Sequence, residues 1–180
     1  MFARTPRLTL RPGWIEDAPA LAQAIAHEAV VMRLAHVPWP YTVADAEHFL
    51  SMLLGRGEAA CLVFAHDGGT TLVGGVGVHG SAGAFELGYW FTPAAWGRGY
   101  ATEAGRAMLG MARHALGHRA LASGHQLDNP ASGRVLRKLG FVPTGRVERR
   151  ACRARGCDVE VATYACDLTD AACDPPRMAA

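Results

Sequence analysis

Between residues 60 and 116 the chain changes its hydrophobic period, and that change constrains the fold more than any other feature. Three strand-like segments come in a row: Ala60 to His66, Thr71 to His79 and Ala84 to Phe91. The first is apolar and runs into Asp67-Gly68-Gly69, a tight-turn signal, so the segments read as antiparallel neighbours. The third alternates, with Phe85, Leu87, Tyr89 and Phe91 on one face and Glu86, Gly88 and Trp90 on the other. Directly after it stands Trp96-Gly97-Arg98-Gly99-Tyr100-Ala101, and from Tyr100 to Leu116 the period is helical. Ala101, Ala104, Met108, Met111, Ala112 and Ala115 share much of one face there. Glycines 74, 75 and 77 weaken the middle strand but let another backbone approach closely.

The flanking segments complete the order. Leu8 to Arg11 alternates like a short strand, and Ala18, Leu21, Ala22 and Ile25 give a helix that Glu16 or Asp17 caps. Pro38-Trp39-Pro40 breaks any helix. Thr42 and Asp45 resemble a capping box ahead of a helix carrying Ala46, Phe49, Leu50 and Leu53. Downstream, Ala120 to His125 is a strand and Pro130 to Leu139 a helix stopped by Gly140. Thr144 to Ala151 and Asp158 to Cys166 pair across Arg153 to Gly156. Antiparallel strands joined to one strand–helix–strand unit predict an α/β (α+β mixed) domain with one central mixed sheet flanked by helices. Residues 1–168 form that single domain, and the tail 169–180, with Pro175-Pro176, is expected to be disordered.

Composition narrows the partners. Half of the 180 residues are hydrophobic, enough for a proper core, and the net charge of +2 calls for neither nucleic acid nor a membrane surface. No apolar run approaches the ~20 residues of a membrane span, and the opening MFARTPRLTLRP lacks the apolar region of a secretory signal. Five cysteines (Cys61, Cys152, Cys157, Cys166 and Cys173) form no CxxC pair and no zinc spacing. They read as reduced thiols of a cytoplasmic protein.

The chemistry concentrates in the turn at 96–101. Glycines there let the backbone fold tightly and aim several N–H groups at one point, and the helix N-terminus behind adds about half a positive charge. That suits a pyrophosphate, although a plain tight turn satisfies the same pattern. Neither a P-loop nor a dinucleotide GxGxxG is present, which leaves a phosphorylated ligand of another kind.

The stretch Phe85-Glu86-Leu87-Gly88-Tyr89-Trp90-Phe91, with Pro93 and Trp96-Gly97-Arg98-Gly99-Tyr100-Ala101-Thr102-Glu103-Ala104, resembles the acetyl-CoA motif of the GNAT superfamily of N-acetyltransferases. It is most similar to the branch containing the ribosomal-protein N-terminal acetyltransferases RimJ and RimL. Asn129-Pro130-Ala131-Ser132, Val135 and Lys138-Leu139-Gly140-Phe141 match a second motif downstream, and Arg7 to Pro12 with Glu16-Asp17-Ala18 matches the branch's opening. The resemblance spans Arg7 to Asp167.

It implies a GNAT-like fold, and transfer of acetyl from acetyl-CoA to a primary amine by direct attack in a ternary complex. It implies that Trp96, Gly97, Arg98, Gly99, Tyr100 and Ala101 carry the CoA pyrophosphate on backbone amides. The superfamily places Arg or Gln where Trp96 stands. Asn129 would touch the pantetheine arm or order a water, and Ser132 would serve the departing thiolate. Many members use a tyrosine for that task; here the aligned residue is Leu136, and a cap on the last helix is the other reading of Ser132. Glu86 is the leading base, with a structural Glu–Arg pair as its alternative; Glu103 is the rival and suits the helix dipole better.

The acceptor is a protein N-terminus, an antibiotic or a metabolite amine, and a non-catalytic acyl-CoA-binding module stands as the rival class. No metal is called for, and the chain is expected to act as a monomer or homodimer. His114 and His118 read as a solvated pair and Cys61 as core. Arg146, Arg149, Arg150, Arg153 and Arg155 make the final hairpin basic, either as a solvated surface or to steer phosphates or an acidic substrate. Pro38-Trp39-Pro40-Tyr41 lines an acceptor cleft or packs as a turn.

Overall fold

The computed structural model describes residues 1–53, 58–66, 68–81 and 84–169. The turn position Asp67, the side chain of Leu53 and the tail beyond Thr169 therefore lie outside the described residues.

The chain opens with β1 (Ala3–Arg4) and β2 (Leu8–Arg11), then α1 (Ala18–Ile25), α2 (Glu28–Val31) and α3 (Val43–Leu53). Next come β3 (Ala59–Ala65), β4 (Thr71–Ser81), β5 (Ala84–Phe91) and α4 (Tyr100–His114). The chain closes with β6 (Ala120–Gln126), α5 (Pro130–Lys138), β7 (Val142–Cys152) and β8 (Cys157–Asp167). One sheet runs in the order β1-β2-β3-β4-β5-β6-β8-β7. Each neighbouring pair is antiparallel except β5 and β6, which α4 joins in parallel. This is the mixed, mostly antiparallel sheet that the period changes imply.

Strand alternation sorts the core onto two faces. Cys61, Val63 and Ala65 of β3, with Leu87 and Phe91 of β5, face α4 and α5 and pack with Tyr100, Ala104, Met108 and Leu136. Leu62 and Phe64 turn the other way onto α1 and α3, joined by Trp90. β3 is therefore apolar throughout because both of its faces are covered. Gly75 makes room for Trp90, whose indole Nε1 stands 2.6 Å from where a Cβ would lie.

Some local details depart from the sequence reading. Asp17 stands at the N-cap position of α1, but its side chain makes no cap bond; its carboxylate takes two bonds from Arg11 (2.7 Å each) and the Trp14 N–H (2.8 Å), inside a 3-10 turn. Arginine supplies a stronger partner than orphan helix amides. Thr42 and Asp45 do form a reciprocal box, with Thr42 N to Asp45 Oδ2 at 2.9 Å and Asp45 N to Thr42 Oγ1 at 3.2 Å. Ala46 and Leu50 are buried, whereas Phe49 is 40% exposed. Of the two histidines read as a solvated pair, His114 is exposed and His118 is half-buried, its ring 4.2 Å from that of Phe85.

The N-terminal strands are tied to α4 by Glu103. Its Oε1 accepts from Thr5 Oγ1 (2.7 Å) and Arg7 N (3.0 Å), and its Oε2 accepts from Arg7 Nε (2.7 Å). Burial alone would raise the Glu103 pKa, but the bonds from Thr5 and Arg7 and the Arg7 charge outweigh it and hold the carboxyl below its ordinary 4.5. A depressed folded value means that this stability is complete above the unfolded value and is lost as pH falls through the folded one. Urea midpoints measured from neutral pH into acid should decline below about 4.5. Glu103→Gln should lower the neutral midpoint and flatten that decline.

Candidate active site

The site begins where the sheet comes apart. β5 and β6 meet at a single register point, Glu86 opposite Ala122. Just beyond it the Ser123 hydroxyl donates to the Leu87 carbonyl at 2.8 Å, and Ser123 is buried. β5 then stays on β4 as far as Gly74 opposite Phe91, while β6 stays on β8 as far as Gln126 opposite Val161. The two parallel strands diverge, leaving a wedge between residues 88–91 and 124–126. Its facing edges are backbone donors and acceptors, suited to an extended ligand that carries amides.

The open end of the wedge meets the glycine turn. Gly97 and Gly99 have φ of 74° and 80°, left-handed values that glycine adopts without strain. Gly99 is the N-cap of α4, and the Glu103 N–H bonds its carbonyl at 3.1 Å. The first N–H groups of such a helix have no intrahelical acceptor. A Cβ on Gly97 would meet no atom within 4 Å, so the turn faces open space. Trp96, in the place of the usual Arg or Gln, donates its indole N–H to the Phe91 carbonyl at 2.8 Å and fastens the turn to the end of β5. Arg33 lies over its ring at 5.5 Å. Arg7 donates to the Arg98 carbonyl at 2.9 Å, and Tyr100 is buried beneath. Backbone amides, a helix N-terminus and nearby guanidinium groups fit a pyrophosphate.

Across the wedge, α5 follows β6. Asn129 is its N-cap, with a side chain that makes no cap bond, and is therefore available to a ligand. Ser132 lies in the first turn of α5, and its hydroxyl pairs with a phenol of β5. Ser132 Oγ stands 2.8 Å from the Tyr89 hydroxyl, which also donates to the Ser132 carbonyl at 3.1 Å. Burial, first among its causes, pushes the Tyr89 pKa up to about 12. Leu136, where a tyrosine is usual, is fully buried in the core.

Glu86 occupies the opposite face, at the closed end. Both of its oxygens accept from Arg150, at 2.9 and 3.0 Å, and Arg150 also binds Glu148 at 2.9 Å. Arg150 comes from β7, with β8 and β6 between it and β5 in the sheet, and its long side chain reaches Glu86 over them. A Cβ on Gly124 of β6 would stand 2.7 Å from Val161 Cγ1 and 3.1 Å from the Ala162 carbonyl oxygen, so glycine lets β6 lie close against β8 there. A cavity of about 370 Å³ lies here, with Glu86, Arg146, Arg150, Thr144 and Thr163 in its lining. Arg155 pairs instead with Asp128 at 2.6 Å, so two of the five hairpin arginines serve ion pairs.

The turn residues, Asn129 and Ser132 thus stand around one wedge, and Glu86 lies behind its apex. Glu103 is spent on Thr5 and Arg7. Glu86 thus makes the structural Glu–Arg pair that the sequence offered as its alternative, with an arginine from the basic hairpin; sequence reasoning gave Tyr89 and Ser123 no role at the site. Alternation alone places Tyr89 opposite Glu86, but nothing local shows that α5 will bring Ser132 to it.

A parallel pair that opens onto a glycine-lined helix N-terminus fits a CoA thioester: the turn would hold its pyrophosphate, the strand edges its amide arm, and the apex its sulfur. Residues 7–142 match the family described as the acetyltransferase (GNAT) domain. None of the curated proteins compared matches the chain. An acetyltransferase of the GNAT family from Bacillus anthracis shares the fold at TM-score 0.81 and 23% identity, over 94% of this chain and all of that one. The ribosomal-protein-S5-alanine acetyltransferase from Vibrio fischeri aligns at TM-score 0.81 and 15% identity, over 94% and 98% of the two chains. RimL, a ribosomal L7/L12 α-N-protein acetyltransferase solved with coenzyme A, aligns at 0.78 and 22%, over 93% and 98%. The class is an acyl-CoA-dependent acetyltransferase. The chain belongs to the GNAT family. No helix among the described residues is long and apolar enough to cross a membrane.

Gly99→Val tests the turn. A branched side chain at φ of 80° strains the backbone and crowds the ligand's approach. The variant should melt lower, by about 1–3 kcal/mol in stability, and titration calorimetry should find CoA affinity reduced at least tenfold.

Proposed function

We propose that this chain transfers acetyl from acetyl-CoA to a primary amine by direct attack in a ternary complex, and that the amine is a protein or peptide N-terminus. The observation that carries the reading is the single-register apex, with a carboxylate on one face of β5 and a hydroxyl pair on the other. An amine arriving on the Glu86 face would meet a thioester coming through the wedge. Glu86 accepts the amine's proton through water, and Arg150 holds the carboxylate in place for it. Ser132 hydrogen-bonds the departing sulfur. The structural likeness to RimL and to the S5 alanine acetyltransferase supports an N-terminal acceptor. A second reading, a small-molecule amine, is favoured by the cavity of about 370 Å³ beside Glu86, a volume that suits a compact ligand. A screen of N-terminal peptides against small amines, scored by CoA release, decides between them; turnover confined to small amines would reject the first.

Cys61 is buried, and burial pushes its pKa up to about 11, so it is no thiolate nucleophile. Intact-mass spectra with acetyl-CoA alone should show no stable acetyl adduct; an adduct that added amine discharges would replace direct attack with a two-step route. Glu86→Gln should lower turnover about 10²-fold and reshape the pH–rate profile, with CoA affinity unchanged. An unaltered profile would remove Glu86 from the base role.

A further inference from the structure

We infer that Tyr89 is a positioning residue for the leaving group: its phenol donates to Ser132 Oγ and thereby turns the Ser132 proton toward the departing sulfur. The inference rests on the reading of Ser132 as the donor to that sulfur. It starts from a count of protons. Ser132 and Tyr89 each own one hydroxyl hydrogen, and the phenol oxygen lies within reach of two acceptors, Ser132 Oγ at 2.8 Å and the Ser132 carbonyl at 3.1 Å. When the phenol donates to the carbonyl, the serine can donate to the phenol, and the pair satisfies itself. When the phenol donates to Oγ, the serine proton is released to a third partner. Negative charge growing on a sulfur in the wedge favours the second arrangement, because a hydrogen bond to a charged acceptor is the stronger one.

The placement is suited to this task. Tyr89 lies on β5 beyond the apex, and Ser132 lies on the helix that follows β6, so the pair spans the two arms of the wedge. The tyrosine ring is packed against the main core, which fixes the hydroxyl in place. Burial carries the phenol's pKa to about 12, so its proton is more tightly held than that of an ordinary tyrosine. A serine or tyrosine with so tightly held a proton stabilises a thiolate by hydrogen bonding without surrendering the proton. In the step itself the C–S bond breaks, its electron pair goes to sulfur, and the amide forms. The proton lost by the amine leaves through the opposite face, and the thiolate is later protonated by solvent. Leu136 offers no hydroxyl, so the donor pair comes from β5 and the first turn of α5.

The test uses the full chain with acetyl-CoA and hydroxylamine, a small nucleophile that needs no acceptor pocket. Its low basicity lets it leave the adduct easily, so that C–S cleavage limits the rate. Formation of acetohydroxamate is followed for the native chain, Tyr89→Phe, Ser132→Ala and the double variant, with CoA affinity and melting temperature measured alongside. Tyr89→Phe should reduce kcat about five- to tenfold, the range for one hydrogen bond, with KM for acetyl-CoA unchanged. The double variant should match Ser132→Ala, since Tyr89 acts only through that serine. Native kcat in Tyr89→Phe beside a slow Ser132→Ala overturns the assignment of Tyr89 and leaves Ser132 as donor. Independent, additive losses also overturn it. Native kcat in Ser132→Ala removes both the serine's role and the tyrosine's.

Discussion

One short contact between parallel strands governs the architecture of the site. β5 and β6 are joined only at Glu86 and Ala122, with the Ser123–Leu87 hydrogen bond closing the apex. Each strand is otherwise committed to its antiparallel neighbour, β4 on one side and β8 on the other. The wedge is thus the place where two well-formed sheet halves cannot both twist and stay paired. Beyond the apex the facing edges of β5 and β6 no longer pair with each other, which leaves backbone donors and acceptors that an extended ligand can use.

In the proposed reaction the wedge also separates the carboxylate from the hydroxyl pair. Because successive side chains of β5 point to opposite faces, Glu86 and Tyr89 stand on opposite sides of the strand. A carboxylate and a hydroxyl pair can therefore address one reacting carbon from two directions without bonding to each other. Each is held by an element remote in sequence: Glu86 by Arg150 of β7, and Tyr89 by Ser132 of α5. The Arg150–Glu86 pair is a bidentate contact of partly exposed groups, so its geometric effect outweighs its contribution to stability.

How much was legible in advance follows from the range of the interactions. Apart from the short β1 and α2, which the pattern did not announce, the order of elements, the Thr42–Asp45 box and the turn at 96–101 rest on neighbours a few residues apart and were announced by the period and the glycines. Asp17 misled because a capping residue and an arginine partner look alike until β2 brings Arg11 beside it. Phe49 misled because helical spacing shows which residues could face a core but not how wide that core is; α3 buries Ala46 and Leu50 against α1 and β3 and leaves Phe49 exposed. Glu86 was a candidate by type and strand position, yet its Arg150 partner stands 64 residues away.

The amino-acid sequence by itself determined the strands, the helices and the left-handed glycine turn, because backbone conformation and hydrophobic period are local properties. It also carried the family's motifs, which name the chemistry. Only the tertiary structure decided where the parallel strands part, that Arg150 of β7 reaches Glu86, and that Tyr89 meets Ser132. Those contacts depend on how two sheet halves and a helix pack together, and packing is a property of surfaces that residues far apart in the chain build jointly.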